Sequence, residues 1–95
     1  MKNLKIYELP CYDRCKSFYS KAHVLEQFGY KHLKSYETIV CILSDSGEFT
    51  KLWDDYSVTT MRHINSFLEH FGYSKYGGKK WWESIPYNES IKLEV

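Results

Sequence analysis

Cysteines at 11, 15 and 41 and histidines at 23, 32, 63 and 70 are the residues of this 95-residue chain that could ligate a metal or move a proton. Zinc is usually held by thiolate and imidazole. The Cys11-x3-Cys15 spacing is not that of a standard paired knuckle, and cysteine is also an ordinary small core residue. His63 and His70 fall seven residues apart on one side of a helical pattern, roughly 10 Å along its axis, too far to share an ion. General acid–base or nucleophilic chemistry needs a partnered nucleophile or a deep pocket. Nothing in the pattern indicates either, so no catalytic, cofactor-binding or metal residue is assigned and a non-enzyme is expected.

Residues suited to binding are more numerous. In Gly77-Gly78-Lys79-Lys80-Trp81-Trp82 two glycines, two cations and two indoles stand together, preceded by Lys75 and Tyr76. Glycine amides can receive phosphate, lysines neutralise it, and an exposed ring stacks on a base. The phosphate-loop pattern is incomplete, and one Trp is expected to plug the core, with the choice between Trp81 and Trp82 open. The segment Tyr12–Lys21 interleaves Tyr12, Phe18 and Tyr19 with Arg14, Lys16 and Lys21. Such a mixture suits single-stranded nucleic acid or a protein partner. Asp45, Glu48, Asp54 and Asp55 make a third, acidic candidate around a hairpin.

The elements that must position these residues centre on 34–72. Lys31–Leu43 is the longest strand candidate, apolar on both sides from Thr38 onward, as suits the middle of a sheet. Ser44–Glu48 is a turn by composition, with Gly47 suited to positive φ, and Phe49–Trp53 returns as the next strand. Short connections make the pairing antiparallel. Met61, Ile64, Leu68 and Phe71, widened by Phe67, recur at helical spacing, with Ser57 or Thr59 as N-cap and Gly72 as the stop. Arg62, His63, Ser66, Glu69 and His70 form the face expected to meet solvent.

Further out, Ser20–Gln27 reads as a strand stopped at Phe28-Gly29-Tyr30. Residues 3–8 suit an edge strand before Pro10. Lys79–Ser84 reads as a short helix ended by Pro86, and Ile91, Leu93 and Val95 alternate as an edge strand or a frayed tail. The expectation is one α+β domain over 1–95: an antiparallel meander of three to five strands, one main amphipathic helix on one face, and a short C-terminal helix.

Nine Tyr, five Phe and three Trp make 18% of the chain, enough to fill a small core or an adhesive surface. A net charge of +1 disfavours both a strongly basic nucleic-acid binder and an acidic DNA mimic. The charge is unevenly spread, with seven Lys/Arg against three acids in 1–34 and two against six in 35–72. No run approaches the ~18 apolar residues of a membrane span, and the start lacks an apolar signal core. A bacterial cytoplasm, with reduced thiols, is the expected home.

YDRCKSFYSKA, KSYETIVCI and LWDDYSVTTMRHINSFL together resemble a family of short proteins of unknown function encoded by phages and mobile elements of Gram-positive bacteria. The resemblance covers roughly 12–82. It implies a setting in which small proteins bind a host or viral macromolecule, including inhibitors of CRISPR nucleases. The leading expectation is a non-catalytic interaction protein, an anti-CRISPR type inhibitor acting on a protein partner such as a CRISPR–Cas effector. The alternative is a nucleic-acid-binding accessory protein using Arg14, Lys16, Lys79 and Lys80 with an exposed ring. Pairing of strand edges into a homodimer is left open.

Overall fold

Strand-forming runs punctuated by tight turns dominate the first half of the chain, and helical patterns the second. The computed structural model describes residues 4–12 and 17–94. Its elements are β1 (Lys5–Glu8), β2 (Ala22–Gln27), β3 (Tyr30–Ser35), β4 (Thr38–Ser44), β5 (Glu48–Lys51), α1 (Val58–His70), α2 (Lys79–Ser84) and β6 (Ser90–Lys92). The class is α+β. The strands form one sheet in the order β1-β2-β3-β4-β5-β6, with every neighbouring pair antiparallel. Six strands, rather than three to five, are present for two reasons: the Lys31–Leu43 run is two strands, and both termini add an edge.

The division falls at Tyr36-Glu37, where no glycine or proline marks a turn. Tyr36 sits at φ 57°, and its N–H donates to Lys21 O at 2.7 Å, so a contact from outside the hairpin holds the reversal. The turn before β3 is conventional. Phe28 and Gly29 both have positive φ (53° and 79°), the pattern of a two-residue type I′ hairpin. At the third turn Gly47 takes φ 95°, and a Cβ there would lie 3.0 Å from Leu93 O.

Register sorts the side chains. Tyr7, Val24, Leu33, Cys41 and Lys51 stand in one row on one face, and Ile6, Leu25, His32, Ile42 and Thr50 in a row on the other. Between Leu33 and Lys34 the register shifts, so that Leu33 faces Cys41 while Lys34 faces Ile39. Val40 is the extra residue of a bulge, and both Val40 and Cys41 are buried.

The first row's face carries all the helical cover. Met61, Ile64, Phe67 and Leu68 of α1 are buried with Leu33, Leu43 and Phe49, at roughly 1.5–3 kcal/mol per side chain as an upper estimate. Thr60 and His63 touch Ser35 at the end of β3, and Phe71 meets Lys31 near its start, so α1 runs alongside β3 in the opposite direction. Trp82 of α2 closes the β5 end against Phe49, and Leu9 and Phe18 join the same core.

Ser57 is the N-cap of α1, its Oγ accepting from Thr60 N–H at 3.0 Å. The far end closes through Gly72 (φ 89°), with Gly72 N–H donating to Glu69 O and Tyr73 N–H to Leu68 O. These are the two bonds of a Schellman stop. Ser57→Ala should cost about 1 kcal/mol of unfolding free energy in a urea titration, whereas Ser57→Asn should cost little.

Candidate functional site

Strand alternation places Leu4, Ile6 and Glu8 beside His23, Leu25 and Gln27, then Tyr30, His32 and Lys34, then Ile39, Ile42 and Ser44 on the sheet face opposite α1. Both helices pack on the other face. The result is a helix-free surface with an aliphatic centre. Ile6 is 58% exposed, Leu4 and Tyr30 are also exposed, and Leu25, His32, Ile39 and Ile42 are half-buried. Glu8, Lys34, Glu48 and Lys92 surround that centre with charges of both signs. The sequence signal for this surface lies in β4, whose Ile39 and Ile42 add apolar side chains on the face that no helix covers.

The residues singled out from sequence are dispersed around the molecule. Arg14 and Lys16 lie outside the described residues. Tyr12 is exposed and its hydroxyl is 2.7 Å from His70 Nδ1, while Tyr19 is 71% exposed in a turn. Asp45 is ion-paired with Lys31 beside the Phe28-Gly29 turn, and Glu48 faces Lys92 on the helix-free side. Asp54 and Asp55 are exposed near α2, where Asp55 O accepts from Trp82 Nε1 at 2.7 Å. Lys75, Lys79 and Lys80 are exposed, Lys79 lying over the Tyr56 ring and Lys75 over Tyr76. Tyr76 is half-buried against Trp81, and its hydroxyl accepts from Glu94 N–H.

Trp82 must be corrected as a contact residue. It is fully buried, because α2 turns it into the core, so its ring has no surface for a partner. Lys51 completes that arrangement: its buried ammonium donates to Trp82 O and Ile85 O at the end of α2.

The face of α1 expected to meet solvent is also corrected in part. Arg62 and Glu69 are exposed, but His63 and Ser66 are buried and His70 is half-buried. His63 Nδ1 is 2.8 Å from Ser35 Oγ, which in turn lies 3.1 Å from Thr60 Oγ1, and Phe18 packs edge-on against the imidazole. Burial, with Arg62 adjacent, holds the His63 imidazole down at about 4. A second polar chain links Glu26, Tyr7, His70 and Tyr12, with Tyr7 hydroxyl donating to Glu26 Oε2 at 2.5 Å. Burial first, and Glu26 second, push the Tyr7 phenol well above its usual range. Both chains tie the segment before β2, or β1, to α1.

Among the described residues no group of three or more His, Cys, Asp or Glu could hold a metal, and no helix is long and apolar enough to cross a membrane. Cys11 is disulfide-bonded, and Cys41 is a free thiol enclosed by the core.

A six-stranded antiparallel meander with helices on one face defines an α+β protein with an open sheet. The chain belongs to a family of unknown function, DUF8033, whose model matches residues 7–84. No curated protein and no solved structure matches it.

His63 gives the fold a pH dependence. The unfolded imidazole, near 6.5, takes up its proton before the buried one, so the stability from burying it neutral is complete above pH 6.5 and is lost as pH falls toward 4. The loss is on the order of 3 kcal/mol. Urea titrations across that range should show this slope in the wild type and its absence in His63→Gln.

Proposed function

We propose that the chain is a non-catalytic interaction protein that docks a folded protein partner on its helix-free sheet face. The observation that carries this reading is the aliphatic row of Ile6, Leu25 and Ile42, left without a helix in a protein whose other face is closed by two. An apolar centre rimmed by charges of both signs is the layout of a protein–protein contact, whereas a nucleic-acid track would be lined with cations. Ile6 stands in β1, the edge strand of the sheet.

The biological role follows the resemblance described above. Small proteins of phages and mobile elements often act by binding a macromolecule, and we assign this one to inhibition of a host defence complex, with a CRISPR–Cas effector as the leading partner and the bacterial cytoplasm as the place.

The test pairs Ile6→Lys with Ile42→Thr, which keeps a β-branched side chain in β4. In cells expressing a CRISPR–Cas effector and a targeted plasmid, the wild-type protein should co-purify with an effector subunit and restore plasmid establishment. The double variant should bind that subunit roughly tenfold or more weakly while keeping a cooperative thermal transition. Lys79→Gln with Lys80→Gln should leave binding unchanged. Retained binding in the Ile6/Ile42 variant would sink the assignment of this face. Failure to restore the plasmid against every effector type would sink the defence-inhibitor role, and a dimer in light scattering that the double variant dissociates would make the occupant a second copy.

A further inference from the structure

Among the described residues β1 is paired along one side only, and the phase of its hydrogen bonds fixes which groups stand on the other. Leu9 N–H donates to Ala22 O at 2.9 Å, and Tyr7 faces Val24 and Lys5 faces Glu26 in the same register. Bonded and non-bonded pairs alternate along an antiparallel ladder, so Leu9, Tyr7 and Lys5 turn their amides and carbonyls to β2. Leu4, Ile6 and Glu8 turn theirs outward. Pro10 follows in the outward phase, where the missing N–H of a proline costs β2 no bond.

Proteins usually blunt an open edge with charge, with a bulge or with a covering segment. Here Lys5–Glu8 runs in unbroken register, and the middle of the edge carries Ile6, 58% exposed, with the exposed Leu4 beside it. A regular strand with an aliphatic centre and alternate amides directed outward is a template for one more strand.

We propose that the added strand is β1 of a second copy of this chain, paired antiparallel about a two-fold axis through Ile6. Such an axis, perpendicular to the sheet, keeps every side chain on its own face and so passes through a residue. Charge and proline chemistry choose which one. Centred on Glu8 or on Lys5, the pairing would set like charges directly opposite each other. Centred on Tyr7, it would put Pro10 opposite Leu4, where an N–H is needed. Centred on Leu4, it would leave Ile6 and Glu8 with no described residue opposite them. Centred on Ile6, it uses the outward groups of Leu4, Ile6 and Glu8 in full and ends short of Pro10. Each Ile6 then faces its counterpart, Leu4 faces Glu8 of the second copy, and on the helical face Lys5 faces a Tyr7 ring, the group its Nζ already approaches at 5.7 Å within one chain. The row of Ile42, Leu25 and Ile6 runs on into its counterpart, and the two helix-free faces become one surface. The pairing stands whether or not that surface docks a different protein.

The experiment is sedimentation equilibrium of the full chain over a concentration series, with circular dichroism as the folding control. The wild type should move from 11.4 kDa toward twice that mass. Ile6→Pro removes an N–H that makes no bond to β2, so it should fold while its dissociation constant rises at least about tenfold. Ile6→Lys, which sets like charges on the axis, should weaken the dimer likewise and serves if the proline variant unfolds. Ile42→Thr lies on the face but away from the edge and should dimerise like the wild type. Disulfide trapping, scored against the wild-type background, reads the register. Equivalent residues on the axis lie about 5.5 Å apart between Cα atoms, within disulfide range, so Ile6→Cys should be trapped as a dimer joined at position 6. The two copies of Glu8→Cys would stand roughly 14 Å apart along the strands and should not be trapped. A monomer at every concentration overturns the proposal, as does a dimer that persists in Ile6→Lys or that Ile42→Thr alone dissociates. So does trapping at position 8, or its failure at position 6.

Discussion

One geometric constraint governs this protein: a six-stranded sheet is wider than one helix can cover, and both helices are needed on the same face. Six strands at about 4.8 Å spacing span roughly 24 Å, while a helix with its side chains is about 10–12 Å wide. The 13 residues of α1 give a length near 20 Å, matched to β3, alongside which it runs. That closes the middle of one face. The β5 end of the same face is left to α2 and its tryptophans, and the β1 end to Leu9, Phe18 and the Tyr7–His70 chain. With every helix used there, the second face has none, and its aliphatic row stays at the surface.

The same constraint explains the buried polar groups. Along α1, Thr60, His63 and Ser66 face the sheet or the chain segment before β2, because the helix is flanked on that side by irregular backbone that needs hydrogen-bond partners. Ser66 Oγ accepts from Tyr12 N–H, and His63 and Thr60 meet Ser35. Lys51 does the corresponding work for α2, donating to Trp82 O, which also accepts from Ile85 N–H, and to Ile85 O. No buried side-chain nitrogen or oxygen lacks a partner among the described residues, so these polar insertions do not weaken the core as unpaired ones would.

Sequence legibility divides along physical lines. The stripe Met61–Phe71, the Ser57 cap, the Gly72 stop and the turns at Gly29 and Gly47 are legible because each rests on local chemistry. The break between β3 and β4 is not, since Ser35-Tyr36-Glu37-Thr38 has the composition of a strand and the reversal is held by Lys21, fifteen positions away. His63 was misplaced because periodicity separates polar from apolar but cannot tell a solvated imidazole from one paired inside. Which of Trp81 and Trp82 enters the core is not legible either, because two adjacent indoles on a six-residue helix give no period to choose between them. The helix-free face was half legible: its side chains are explicit in the alternation of β2 and β4, but whether a layer covers them depends on how many strands the sheet finally holds.

Two tyrosines stand on left-handed backbone and are stabilised unequally by the fold. At Gly47 a tight turn is made by the residue that makes it at least cost, where three segments converge. At Tyr19 and Tyr36 comparable backbone is occupied by bulky side chains, at roughly 1–3 kcal/mol each. Tyr36 recovers part of this through ring contacts with His63 and Lys21. Tyr19 is largely exposed, so core burial returns little to it. A side chain that costs stability where it stands and buries little surface in return has its value in what the ring meets from outside, and Tyr19 presents most of its ring there.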